Sequence, residues 1–250
     1  MFCLWDDLLN LIFPPRTACP FCGGMSPGGT VCRRCLEFLE AYRRESCCRR
    51  CGRLPGRGGH AFLSAGNDAA GLCAECRKRD WPFVLARAAG PYEGILKDAV
   101  HRLKYAGKRS LAGPLAEIME PVLRAEPRFA AVDLLVPVPL SREKLLRRGF
   151  NQAALLARKL GVRQQIEVEE NFLVKDFETL PQAGLSKSAR EQNLKGVFKV
   201  KPGKTISGRN VLLIDDVFTT GSTMSAVSAT LAAAGANQVF GLTAVTGRLF

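Results

Sequence analysis

The stretch VLLIDDVFTTGST, residues 211–223, decides the fold. Four apolar residues, Val211 to Ile214, make the short unbroken run expected of a parallel strand buried on both faces. Asp215 and Asp216 follow, and are expected at the strand's carboxyl end in a solvent-facing cleft. Thr219, Thr220, Gly221, Ser222 and Thr223 form a short loop into an Ala-rich run that reads as a helix to about Ala234. Hydroxyls, a glycine and the unpaired N–H groups of a helix N-terminus suit a phosphate. Strand, acids, loop and helix in this order put the ligand at the carboxyl edge of an open sheet. The competing reading is an ordinary α/β turn without a ligand, and the loop's hydroxyl chemistry in its strand context weighs against it. A Walker A loop is excluded, because Pro202-Gly203-Lys204-Thr205 has the right ending but Phe198 stands where the first glycine belongs.

Outward from this stretch, the chain alternates strands and helices, which means a parallel sheet covered on both faces. Gln238–Val245 supplies the next strand. Upstream, Phe83–Tyr92 and Val132–Val138 read as strands, and Leu173-Val174-Lys175 as a short one. From Glu93 the pattern is helical, with Ile95, Leu96, Ala99, Val100 and Leu103 on one face and Lys97, His101 and Lys104 on the other. A second helix starts at Ser110-Leu111. After Pro137-Val138-Pro139, a basic loop carrying Arg142, Lys144, Arg147 and Arg148 enters a helix that reads as ending before Gly161. Arg190, Asn193 and Phe198 lead back into a strand.

The N-terminal third has a different chemistry. Eight of the ten cysteines fall into four C-x-x-C pairs: Cys19/Cys22, Cys32/Cys35, Cys48/Cys51 and Cys73/Cys76. Gly23 and Gly52 follow the first and third pairs only, so the block reads as a C-x-x-C-G knuckle plus a closing pair, twice over. Four thiolates per site suit a closed, structural zinc. Pairing first with third and second with fourth is the cross-braced alternative. Redox use of a C-x-x-C is a weaker one, since redox motifs do not usually come as four pairs. His60 sits in a glycine-rich insert and reads as a solvated loop residue.

Composition bounds the partners. The 250 residues carry 36 basic and 23 acidic side chains, a formal charge of +13 that favours polyanions: phosphates, pyrophosphate or nucleic acid. The opening MFCLWDDLLNLIF has acids where a secretory segment needs positive charge, and its apolar run is too short to span a bilayer. It reads as a short amphipathic docking helix, with membrane contact as the minority reading. Thiolate-bound metal, with no secretion signal recognised in the opening residues, makes a reducing cytoplasm the expected compartment. Composition changes after Trp81-Pro82, which sets the expected boundary: residues 1–82 as a helix and double zinc ribbon, 83–250 as the α/β domain.

The stretch 211–223 resembles the ribose-phosphate signature of type I phosphoribosyltransferases, and the chain as a whole resembles the ComF (GntX-like) family. The matching segments are the four C-x-x-C pairs, Leu103-Lys104-Tyr105-Ala106-Gly107, Val136-Pro-Val-Pro139, Arg147-Arg148-Gly149-Phe150-Asn151-Gln152, Lys175 with Thr179, Gln182, Arg190 and Asn193, and Asp215 through Thr223. The resemblance implies an α/β fold: a parallel-sheet type I phosphoribosyltransferase-like domain behind a small N-terminal zinc-ribbon domain. It implies Asp215, Asp216 and Arg190 in catalytic positions. Thr219, Thr220, Gly221, Ser222, Thr223, Lys104, Arg147, Arg148, Asn151, Gln182 and Asn193 would bind the ligand. The eight paired cysteines would hold two structural Zn²⁺ ions, and Mg²⁺ would accompany 5-phosphoribosyl diphosphate. The implied setting is natural transformation, with incoming single-stranded DNA and a helicase-like competence protein as partners and no transmembrane segment. Turnover as a true phosphoribosyltransferase, by pentosyl transfer to a nucleobase or related acceptor, is the alternative. Against it, Thr219 stands where hypoxanthine-type enzymes carry an aspartate base, and a hydroxyl is too weakly acidic for that work near neutral pH.

Overall fold

The computed structural model describes residues 17–56, 71–176 and 196–249. The expected N-terminal helix, Cys3, His60, Thr179, Gln182, Arg190 and Asn193 lie outside the described residues. Seven strands occur among those described: β1 (Ala86–Pro91), β2 (Leu134–Pro137), β3 (Glu167–Val168), β4 (Leu173–Lys175), β5 (Phe198–Val200), β6 (Asn210–Phe218) and β7 (Gln238–Thr246). Five form one sheet in the order β1-β7-β6-β2-β3, every neighbouring pair parallel. The helices are α1 (Arg33–Arg43), α2 (Ala74–Lys78), α3 (Gly94–Tyr105), α4 (Ala112–Ala125), α5 (Arg142–Arg148), α6 (Gln152–Gln164) and α7 (Ser222–Ala233).

Alternation along β6 sorts the core into two layers, since successive side chains of a strand point to opposite faces. Leu212 and Ile214 pack in one layer with Leu96, Leu103, Leu115 and Leu156 from α3, α4 and α6. Val211 and Leu213 pack in the other with Val227 and Leu231 of α7. The cysteine knuckles join these same layers, one to each. Cys19, Phe21, Cys35 and Leu39 belong to the first, and Cys48, Cys51, Cys73 and Cys76 to the second. The two ribbons therefore straddle β1, an edge strand of the sheet. Arg50 accepts from the Ala86 N–H through its carbonyl (2.7 Å), and the Tyr42 hydroxyl donates to the Ala88 carbonyl (3.3 Å), so an edge that would invite further pairing is covered.

Two local expectations give way. Gly161 does not end α6: a Cβ there would collide with Val168 Cγ2 and come 2.9 Å from the Ile166 carbonyl, so the glycine admits β3 against the helix. The stop comes at Gln165, the one non-glycine residue with positive φ (56°) among those described. The basic segment expected as a loop forms a helix of its own, α5, which Gly149 closes with a φ of 74° before α6 begins at Gln152. Leu173-Val174-Lys175 is the short strand expected. It pairs antiparallel with β5 in a separate two-stranded ribbon.

Candidate ligand site and metal centres

β6 and β7 are nine residues each and stay paired as far as Phe218↔Thr246. The ladder therefore runs past Asp215 and Asp216, and the acids lie within the strand instead of at its solvent-facing end. Asp216 is only 3% exposed. It meets Lys104 at the end of α3 (Oδ2 to Nζ, 2.5 Å) and the amide of Gln152, the first residue of α6, which donates to Oδ1 at 3.4 Å. Arg148 donates to the Gln152 side-chain carbonyl and lies over the Tyr105 ring, 5.6 Å from its centroid. A continuous line, Arg148–Gln152–Asp216–Lys104, thus ties the basic segment to the acids. Burial would push the Asp216 carboxyl up, but the Lys104 ammonium and its hydrogen bond hold it below the usual carboxylate range. Asp215 is half-buried, and burial together with the neighbouring Asp216 charge raises it well above that range. The two acids are chemically unequal: one is neutralised in place and the other is left poised.

Gly221 caps α7 in the left-handed region (φ 81°). A Cβ there would come 2.8 Å from Phe218 and 3.1 Å from the Trp81 ring, so both conformation and space demand glycine. The Thr220 and Ser222 hydroxyls are 2.8 Å apart, and Ser222 N–H donates to Thr220 Oγ1 at 3.4 Å. With the remaining N–H groups of the first turn of α7, which have no acceptor within the helix, this is a concentration of donors able to hold a phosphate. Thr219 is exposed and Thr223 half-buried. Asn151 serves the scaffold. Its Oδ1 accepts from Ala153 N–H (3.0 Å), capping α6, and its Nδ2 donates to the Val138 carbonyl (3.0 Å). Arg147 is exposed nearby in sequence, at the end of α5.

Three participants lie outside the site residues that the sequence pattern picks out. Gln152 stands in the basic segment with nothing local to mark it as a partner of Asp216. Arg53 and Trp81 come from the cysteine-rich third. Arg53, 5% exposed, donates to the Thr219 carbonyl (3.4 Å), and only the fold brings residues this far apart in sequence together.

The eight paired cysteines form two groups, Cys19/Cys22/Cys32/Cys35 and Cys48/Cys51/Cys73/Cys76, the four sulfurs of each lying within 4.8 Å of one another. The pairing is sequential, not cross-braced. Sγ–Sγ distances of 3.7 Å (Cys19–Cys35), 3.6 Å (Cys22–Cys32), 3.5 Å (Cys32–Cys35) and 3.8 Å (Cys51–Cys73) match the edge of about 3.8 Å that a tetrahedron with Zn–S near 2.3 Å requires. The units repeat in detail. Gly23 and Gly52 N–H each return to the carbonyl of the first cysteine at 2.9 Å. Cys32 N–H reaches Cys19 Sγ at 3.4 Å, and Cys73 N–H reaches Cys48 Sγ at 3.3 Å. Amide donors aimed at sulfur are the usual outer support of a thiolate–zinc centre. The residues fit zinc at both sites.

Comparison with known proteins agrees with this geometry. Residues 8–77 match the double zinc ribbon domain family and residues 145–247 the phosphoribosyl transferase domain family. Competence protein F of Haemophilus influenzae is 33% identical over 176 residues, 68% of this chain and 77% of that protein. DNA utilization protein YhgH of Salmonella typhi is 30% identical over 212 residues, covering 84% and 87%. Competence protein ComFC of Streptococcus pneumoniae is 31% identical over 170 residues, covering 67% and 71%. With ribbons, sheet and signature loop joined in one chain, the protein belongs to the ComF family.

Proposed function

We propose that this protein is a competence factor that binds 5-phosphoribosyl diphosphate or a related nucleotide, with Mg²⁺, at Asp215–Thr223, and that it handles single-stranded DNA during natural transformation. One observation carries the ligand reading: a left-handed Gly221 loop opening α7 beside a half-buried Asp215 whose neighbour Asp216 is already neutralised by Lys104. Lys104 holds Asp216 charged and fixed, Gln152 fixes its second oxygen, and Asp215 is the carboxylate left to meet ribose hydroxyls or magnesium. The loop hydroxyls and the α7 amides receive the 5′-phosphate. Mg²⁺ would supply charge neutralisation for the diphosphate when bound. The DNA reading is supported by the formal charge of +13 and by the names of the relatives. Phosphoribosyl transfer to a base is the second reading, favoured by the match of residues 145–247 to the transferase domain.

Purified protein is titrated with Mg²⁺ and 5-phosphoribosyl diphosphate and, separately, with a labelled single-stranded oligonucleotide. A pyrophosphate-release assay over a panel of bases runs in parallel. Saturable binding of both ligands without pyrophosphate release is the expected result. Base-dependent release establishes the second reading instead, and binding of neither ligand overturns both.

A further inference from the structure

The second zinc cluster and the phosphate loop share two side chains. Arg53, two residues past Cys51, spreads its guanidinium over three partners: Nε to Cys51 Sγ (3.5 Å), Nη2 to Glu75 Oε2 (2.6 Å) and Nη1 to the Thr219 carbonyl (3.4 Å). Trp81 donates its indole N–H to Cys76 Sγ (3.2 Å), while its ring forms the wall against which Gly221 is packed, 3.1 Å from where a Cβ would stand. The Trp81 backbone is held too, its carbonyl accepting from Arg50 Nη2 (3.0 Å). Its ring stacks on Phe83 (5.1 Å), which meets Phe218 edge-on (6.3 Å). Both links run from a sulfur of the Cys48/Cys51/Cys73/Cys76 group to the backbone of residues 219–221.

A planar guanidinium with three divergent partners is rigid only while each stays in place, and a buried cation is costly when one leaves. The same holds for a buried indole N–H, which needs its acceptor. Metal holds four sulfurs at fixed mutual distances, and the loop inherits that rigidity through Arg53 and Trp81. The first cluster has a different neighbour: Arg102 of α3 donates to the Pro20 and Phe21 carbonyls at 2.9 and 2.5 Å.

We propose that Arg53 and Trp81 are positioning residues that fix the Thr219–Ser222 loop to the second zinc cluster, so that the metal in that cluster sets the order of the loop and through it the affinity for ligand. The affinity clause rests on the phosphoribosyl reading of the loop, while the ordering clause does not. Each residue acts through the loop backbone.

The test uses the full zinc-loaded chain and the variants Arg53→Lys, Trp81→Phe and, for the first cluster, Cys22→Ser. Trp81→Phe removes both the indole donor to Cys76 and the outer ring edge (Cη2 and Cζ3) that faces Gly221, so it cuts this link at both ends. Zinc content, melting, hydrogen exchange of the peptide covering residues 216–225, and calorimetric binding of Mg²⁺ with 5-phosphoribosyl diphosphate are measured. Arg53→Lys and Trp81→Phe are expected to retain two zinc equivalents and a cooperative melt. Their loop exchange should be faster, and their binding weaker, by about tenfold each, the size of one lost buried hydrogen bond. Cys22→Ser should lose one zinc and leave loop exchange unchanged. Unchanged loop exchange in both positioning variants overturns the proposal, as does an equal effect from Cys22→Ser, which would mark a general loss of stability. If wild type binds no phosphoribosyl diphosphate while the exchange pattern appears, the ordering clause stands and the ligand reading falls.

Discussion

Lys104 and Asp216 show why neighbouring acids need not be equivalent. Their side chains are 2.5 Å apart and both largely buried, so removing one partner strands the other charge. Lys104→Met is therefore expected to destabilise the protein by about 3–5 kcal/mol, read by denaturant unfolding, far more than a surface lysine would. Asp215 behaves in the opposite sense. Its carboxyl is raised, so the charged form that a magnesium or ribose contact needs is lost as pH falls, and lost early. Binding of Mg²⁺ with phosphoribosyl diphosphate should weaken on acidification with an inflection above the usual aspartate value of about 4. A pH-independent affinity between about pH 5 and about 8 would remove Asp215 from the site. Gly221→Ala should cost about 1–2 kcal/mol from its φ of 81° alone, before the clash with Phe218 and Trp81 is counted.

At the scale of elements, the ribbons behave as part of the core. Leu39 of α1 is 1% exposed and lies in the same layer as Leu212 and Ile214 of β6. Leu39→Ala should thus cost about 2–5 kcal/mol of the stability of the whole fold. Elemental analysis should find two zinc equivalents, and chelation should lower the melting of the sheet itself; an unchanged sheet melt would show an independently folded appendage. The sequence displayed much of this architecture. The apolar run Val211–Ile214 and the alternation of elements announced the parallel sheet, and the glycines after Cys22 and Cys51 announced the repeat. What it concealed lies in packing. Gly161 looks like a helix stop because a close approach by Val168 leaves no trace in local pattern. Asp215 and Asp216 look like a strand end because the length of β6 is set by its partner β7. Arg53 looks like one basic residue among many in a cysteine-rich segment, and only the tertiary fold puts it beneath Thr219.

Across the whole molecule, the excess positive charge is distributed around the basic helices as well as the ligand site. Arg109, Arg142 and Arg158 line a cleft of about 500 Å³ between α5, α6 and the β4 strand, and Arg109 lies over the Phe150 ring at 4.8 Å. Arg147 is exposed, so Arg147→Ala should lower the salt dependence of single-strand binding by about 0.7 in log–log slope. Among the described residues no helix is long and apolar enough to cross a membrane. The central claim is that the β6–α7 junction is a working phosphoribosyl site. It is tested most directly by calorimetric titration of wild type and Asp215→Asn with 5-phosphoribosyl diphosphate, with and without Mg²⁺. Asp215 is the variant of choice because Asp216→Asn would leave Lys104 buried without its counter-charge. The account predicts magnesium-dependent binding by wild type and a loss of at least about tenfold in Asp215→Asn at unchanged melting temperature. Equal affinity in the two proteins would contradict it.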